Sequence, residues 1–366
     1  MKKKRGRGAI IAVFLVTLVI FGGFWGTWST ITTLLAPPVV TGTNKVTLTI
    51  LANESTQQIA DELQAKGLIR NALIFRLWAR LKGLDTTIQA GVYNLTPGMN
   101  VDTIIAKLQD GKPDQKPLLV IDGWRLEQIA NQADSLGLTG FSKQDFLNYT
   151  HHPDQFPDKA KYPLLDKLTS MEGLIFPDTY QIPVGYDTVK ILDMMLDEMT
   201  QVVKDNNLVT MAQQHKMTVY QLITLASIVQ REASNAKQMP LIAGIYWKRI
   251  YQPSADVGGP VLQSDPTVEY AYDTDHPPTG QAEYWVDLNQ YGQGSTVETN
   301  SPWNTYNHPG WPPTPISSPN LKALQAAANP QQTNCYYFFT MHDATGTLKC
   351  EPTYKQIQAD EAKYLH

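Results

Sequence analysis

YQLITLASIVQREASNAKQMPLIAGIYWKRI, running from Tyr220 to Ile250, is the stretch on which the reading of this chain turns. Leu222, Leu225, Ala226, Val229 and Ala233 recur at helical spacing, which predicts an amphipathic helix with one apolar stripe facing a core. Ser234 and Asn235 interrupt that pattern, and Pro240 reads as the first-turn proline of a following helix. Glu232 therefore falls in the last turn of the first helix, close to the apolar stripe. Partial burial and the negative end of the helix dipole both favour its protonated form there. A carboxyl that keeps its proton near neutral pH is a candidate general acid. On spacing alone, Glu232 reads equally as an ordinary polar residue at the rim of an amphipathic helix.

Upstream, the 366-residue chain opens with a basic tail over residues 1–8, containing Lys2, Lys3, Lys4, Arg5 and Arg7. An apolar run follows from Ala9 to Leu35, with Trp25 and Trp28 placed as an interfacial belt and Pro37 and Pro38 just beyond it. About 20 apolar residues suffice to cross a bilayer, so residues 9–35 are predicted to form a single transmembrane helix. A cleavable signal peptide is the competing reading, but the run is long for one and no clean small-x-small site follows. The positive-inside rule then leaves the N-terminus cytoplasmic and everything after Pro38 extracytoplasmic, in a single-pass protein of the cell membrane. Take the five basic tail residues from the net charge of −4 and the remainder carries −9. That argues against nucleic acid as a partner, since no basic footprint is left beyond the tail. The seven histidines have no metal-ligand spacing, and there is no phosphate loop or nucleophile elbow, so neither metal nor cofactor is expected.

Beyond a short polar linker, VTLTIL (Val46–Leu51) alternates as a strand, and Ser55 with Gln58 forms a capping box for a helix reaching Lys66. A second helix over Ala72–Lys82, a strand over Ala90–Leu95, and a helix from Val101 to Leu108 complete a segment spanning 46–112. A turn-rich boundary precedes a strand over Leu118–Ile121 and a helix from Trp124 to Leu136, which open a larger region, 117–366. Within it, residues 271–300 are rich in Asp, Gly, Tyr and Pro and read as a surface insertion. Near the end, two strands flank a turn and carry Cys335 and Cys350, the only cysteines. An extracytoplasmic compartment permits a disulfide between them, while a one-residue slip in register would leave two buried thiols, and both readings stay open.

ASIVQRE (Ala226–Glu232), PLIAGIYWKRI (Pro240–Ile250), LQSDPTVEY (Leu262–Tyr270) and SPWNTY (Ser301–Tyr306) follow one another in the order found in the endolytic murein transglycosylase (MltG, YceG-like) family, which this chain resembles. EGLIFPDTY (Glu172–Tyr180) also resembles a family block, and so does PPTPI (Pro312–Ile316), with Thr314 where the family has Gly. The resemblance implies an α+β fold: the transmembrane helix, a LysM-like βααβ module over 46–112, and a mixed α/β YceG-like catalytic domain over 117–366. LysM modules bind N-acetylglucosamine polymers; here sugar binding and a purely structural spacer are both open readings.

The implied activity is endolytic cleavage of the MurNAc-β-1,4-GlcNAc bond of nascent peptidoglycan strands, leaving 1,6-anhydro-MurNAc ends and ending elongation beside membrane-embedded synthases. Lytic transglycosylases manage this with one carboxyl group, and the family often carries E-x-E where this chain has Gln230, Arg231 and Glu232, which leaves Glu232 as the acid. Gln263, Ser264, Asp265, Trp303, Asn304 and Tyr306 are the implied substrate contacts, with Asp265, before Pro266, reading alternatively as a turn cap. Trp303 and Trp311 stand where the family has Tyr and Leu, and offer flat faces to sugar rings. Two other functions fit the same residues: a muramidase using Glu232 with Asp265 and admitting water, and a catalytically silent peptidoglycan-binding scaffold.

Overall fold

The computed structural model describes residues 32–38, 44–50, 54–83, 88, 91–110, 115–165, 168–183, 185–279, 283–285, 287–288, 294–341 and 346–365. The predicted basic tail and most of the predicted span lie outside them. Residues 32–35 are helical, and no helix among the described residues is long and apolar enough to cross a membrane. The chain divides into two compact units, Met1–Lys116 with Ile182–Tyr186, and Pro117–Gln181 with Asp187–His366.

In the first unit, β1 (Val46–Ile50), α1 (Thr56–Ala65), α2 (Ala72–Leu81) and β2 (Gly91–Leu95) precede α3 (Val101–Asp110). The capping box expected at Ser55 and Gln58 is present, and the Asn71 side chain caps α2. β1 and β2 pair antiparallel, with Leu48 opposite Tyr93. Two strands alone are marginally stable in water. The helices complete the core, where Leu48, Leu63, Phe75, Leu95 and Ile104 are fully buried.

The second unit is mostly helical. β3 (Gln115–Leu119) starts before the expected Leu118 and pairs with β4 (Thr179–Pro183); both strands straddle the division between the units. Helices α4 (Leu126–Ser135), α5 (Lys143–His151), α6 (Thr188–Asp205), α7 (Leu208–Gln214), α8 (Val219–Glu232), α9 (Met239–Tyr251), α10 (Asp265–Asp275) and α11 (Leu321–Ala328) follow in chain order. A hairpin of β5 (Tyr337–Thr340) and β6 (Leu348–Glu351) and the helix α12 (Tyr354–Tyr364) complete it.

Helix α8 is the axis of this unit, and it differs from the expected amphipathic stripe. Residues Leu222 to Val229 are buried without interruption, because α7, α9, α10 and α11 all pack on it. The two hydroxyls in that run are satisfied locally: Thr224 donates to the Tyr220 carbonyl and Ser227 to that of Thr224, each at 2.8 Å. Ser227 Oγ also accepts the Ile316 N–H at 3.0 Å, which docks the PPTPI segment on α8. A Thr218–Gln221 capping box starts the helix, and it ends at Glu232 because Ala233 turns to extended backbone. Ala233, expected in the stripe, therefore lies outside it.

Cys335 and Cys350 form a disulfide, with Cα atoms 5.6 Å apart. They are not directly opposite one another. Cys350 faces Phe338 in the ladder, and Cys335 reaches it diagonally from just before β5.

Candidate active site

Helix α8 delivers Glu232 to a cavity of about 390 Å³. The next helix, α9, has Pro240 in its first turn, as expected, and brings Tyr246 and Arg249 to the same cavity. Tyr246 lies seven residues into α9 and Arg249 three further on, so the two side chains share a face.

The geometry around the carboxyl group is asymmetric. Glu232 Oε1 accepts a short hydrogen bond from the Tyr246 hydroxyl and a second, at 2.7 Å, from Ser264 Oγ. Oε2 has no hydrogen-bond partner among the described residues. Burial pushes the Glu232 carboxyl above its ordinary value, the neighbouring Asp265 adds to that, and the two hydroxyls and Arg249 oppose it. The Tyr246 hydroxyl is itself raised well above its usual range, chiefly by burial, so it stays a donor.

Arg249 is buried, and burial lowers its affinity for a proton. It donates from Nε to the Tyr336 carbonyl at 2.7 Å and from Nη1 to the Leu262 carbonyl, and so ties the segments leading into β5 and α10 to α9. Its guanidinium carbon lies 5.4 Å from the centre of the Tyr337 ring.

Ser264 is fully buried immediately before α10, where its N–H donates to Thr305 Oγ1 at 3.0 Å. Gln263 adopts a left-handed φ of +53° and lines the cavity. Asp265 opens α10 and accepts from the Tyr306 hydroxyl at 2.8 Å, and both residues line the cavity. Glu269, one turn beyond Asp265, has a carboxyl pushed up to about 7 by burial; Arg231 pulls it down, and Asp265 and Glu232 push it further up.

Of the six residues expected to contact substrate, Gln263, Asp265 and Tyr306 line the cavity, and Ser264 reaches it through Glu232. Asn304 and Trp303 do not line it. The Asn304 amide is wholly buried and donates to the carbonyls of Gly294, at 2.9 Å, and Val297, at 2.6 Å. It braces a loop whose free carbonyls need donors. Trp303 packs on Tyr270 with ring centres 5.7 Å apart and donates to Thr314 Oγ1 at 3.0 Å.

The region read as a surface insertion takes part in the site. Residues up to Asp275 belong to α10, and Leu288 and Gly294 line the cavity. A Cβ at Gly294 would stand 2.5 Å from the Tyr306 ring and 2.9 Å from Asp265 Oδ1, so only glycine lets the loop lie against that pair. Tyr246, Arg249, Tyr337 and Phe338 carried no motif signal of their own. Tyr246 and Arg249 fall within PLIAGIYWKRI, and an aromatic and a cation on one helical face, beside the helix ending in Glu232, is the pattern that could have marked them.

A second cluster lies behind the cavity. Arg125 is buried with its guanidinium carbon 4.0 Å from the centre of the Tyr270 ring, and it donates to the Tyr270 carbonyl and to Thr274 Oγ1. The Glu172 carboxyl, from EGLIFPDTY, is fully buried beside it and is pushed up to about 8 by burial and by the nearby Glu127. This cluster ties α4 to α10, and with it the segment that carries Ser264 and Asp265.

A sequence profile of the YceG-like family matches residues 48–363. An endolytic murein transglycosylase of Streptococcus pneumoniae strain D39 is 29% identical over 357 residues, which cover 90% of this chain and 60% of the relative. The protein of the same name from Bacillus subtilis strain 168 is 27% identical over 333 residues, covering 87% of this chain and 85% of the relative. The crystal structure of a yceG-like protein from Listeria monocytogenes has 27% sequence identity and a TM-score of 0.51, covering 86% of this chain and 99% of that one. The chain thus spans 60% of the length of the pneumococcal relative.

Proposed function

The chain belongs to the YceG-like family, and from that premise we propose that it is an endolytic lytic transglycosylase that cuts the MurNAc-β-1,4-GlcNAc bond of peptidoglycan strands. The observation that carries the reading is Glu232 at the end of α8, its Oε1 held by two hydroxyls and its carboxyl biased by burial towards the protonated form.

Both hydroxyls occupy Oε1, so the acid's proton sits on Oε2. Oε2 gives that proton to the glycosidic oxygen as the bond to the anomeric carbon breaks. Charge then develops on the Glu232 carboxylate, where the Tyr246 and Ser264 hydroxyls strengthen their bonds to Oε1 and stabilise it. The carboxylate next takes the proton of the sugar's own C6 hydroxyl, whose oxygen closes on the anomeric carbon. The products are a new 4-hydroxyl end and a 1,6-anhydro ring, Glu232 is again protonated, and no water is consumed. Gln263, Asp265 and Tyr306 hold the sugars in the cavity. Asn304 and Trp303, expected to contact substrate, instead act indirectly by fixing the loop and Tyr270.

The cellular setting belongs to the same proposal. Residues 9–35 anchor the chain in the cell membrane with residues 1–8 in the cytoplasm, the 46–112 module is LysM-like, and the cutting domain works outside beside peptidoglycan synthases. Protease added to spheroplasts should degrade the second unit while a cytoplasmic control survives.

Mass spectrometry of the ends left on uncrosslinked glycan strands tests the activity. Anhydro ends support it; reducing ends point to a water-using muramidase, and uncut strands to a binding scaffold.

A further inference from the structure

Helix α9 borders a second cavity. Gly244, Trp247 and Lys248 line a separate cavity of about 520 Å³, closed on its other side by the loop PQQTN, residues 330–334. That volume lies within the range of about 300–1,000 Å³ common for small-molecule sites. The two cavities share no lining residue.

The loop is seated firmly on the helix. A Cβ at Gly244 would stand 1.9 Å from the Gln331 carbonyl oxygen, so the approach requires glycine. The Gln331 N–H donates to the Pro240 carbonyl at 2.9 Å, and Thr333 Oγ1 accepts from the N–H of the disulfide-bonded Cys335 at 3.0 Å. Beside it runs a row of half-buried rings: His215, Trp247, Tyr251 and Trp311, with successive ring centres 6.0, 5.3 and 6.4 Å apart. Two of these rings are fixed by their polar atoms. Trp247 Nε1 donates to the His215 carbonyl at 2.9 Å and the Tyr251 hydroxyl to that of Lys216 at 3.0 Å. The exposed amides of Gln331, Gln332 and Asn334 and the Lys248 ammonium supply the polar lining.

We propose that this cavity and its aromatic row form a second glycan subsite, which takes an N-acetylated amino sugar of the strand away from the bond being cut. A pyranose presents a C–H face that packs on an indole, and an acetamido group needs one donor and one acceptor, which a primary amide supplies together. On a peptide-free strand the lactyl carboxylate meets Lys248. The inference rests on the proposed glycan-cutting activity, because an endolytic enzyme holds a polymer that extends past the cavity of about 390 Å³ around Glu232. Fixed rings add affinity because little side-chain freedom is lost on binding.

The test uses the full chain carrying Glu232→Gln, so that bound strands stay uncut, and measures binding of peptide-free glycan strands and of N-acetylglucosamine tetramer by calorimetry. Adding Trp247→Ala should weaken strand binding about tenfold, and adding Gln332→Ala, on the exposed loop, should weaken it by a smaller factor. Because each comparison changes only α9 or its loop, any binding by the first unit cancels. With Glu232 restored, Trp247→Ala should raise KM for long strands and leave kcat unchanged. Unaltered affinity in both variants overturns the subsite, as does binding of the stem peptide alone that Trp247→Ala abolishes. Should the unmutated chain leave anhydro ends while both variants bind normally, the subsite fails and the activity stands. Tetramer binding that depends on Trp247 in a chain that cuts nothing supports the subsite and refutes the activity.

Discussion

Replacing Tyr246 with Phe removes one of the two hydroxyls on Glu232 Oε1 and little else. The ring keeps its edge-on contact with Phe338, at 5.7 Å between centres, and its place beside the Arg249 guanidinium. A hydrogen bond to a charged group contributes about 1.5–3 kcal/mol. In the proposed mechanism that bond strengthens as the proton leaves Oε2 and charge builds on the carboxylate, so its loss falls mainly on the transition state. At about 1.4 kcal/mol per tenfold change in rate, Tyr246→Phe should lower kcat by about 10- to 150-fold. The sign of the pH effect follows from the same bond. The Tyr246 hydroxyl favours ionised Glu232, so removing it raises the Glu232 pKa further and moves the alkaline limb of kcat/KM to higher pH. The assay is release of anhydro ends from uncrosslinked strands across pH, with circular dichroism to confirm folding. A folded Tyr246→Phe protein with wild-type kcat and an unmoved alkaline limb would refute this account of how the acid is held.

Glu232→Gln keeps the shape and loses the ionising proton, so turnover should fall by at least about 10²–10⁴-fold with the fold intact; near-normal release of anhydro ends would remove Glu232 from the role. The double replacement Cys335→Ser with Cys350→Ser should cost about 3 kcal/mol in urea unfolding, the chain-entropy value for a loop of about 15 residues, and thiol labelling of the unfolded, unreduced wild type should find no reactive thiol. Glu172 holds its proton in the folded state up to pH about 8, against an ordinary 4.5. The stability this brings is full at low pH and is lost as pH rises from about 4.5 to about 8. Glu172→Gln should flatten that decline, and equal declines in wild type and variant, followed by urea unfolding between pH about 5 and about 8, would show that Glu172 is not its source.

What could be read from the sequence was what is written locally. The Ser55–Gln58 box, the alternation in VTLTIL and the break at Ser234 and Asn235 act within a turn of the residues that encode them, so β1, α1 and the end of α8 could be placed. The position of Glu232 at that end followed. Less could be read where a side chain's partner is distant in the chain. Tyr246 and Arg249 look like ordinary helix residues until α8 and β5 pack beside them. Asn304 looks like a free amide until the carbonyls of Gly294 and Val297 turn towards it. The stripe predicted on α8 proved too narrow because periodicity records one partner, and this helix has four.

The cavity's far wall has a consequence for the order in which the site is made. Tyr337, Phe338, Tyr354 and Ile357 also line the cavity, and all belong to the hairpin and helix that follow α8, α9 and Ser264 in the chain. The acid and its two hydroxyl donors are synthesised well before them. A growing chain thus holds Glu232, Tyr246 and Ser264 while part of the cavity wall is still missing. Until β5, its disulfide and α12 arrive, the cavity around Glu232 lacks those four side chains, so the order of synthesis sets when its lining is complete.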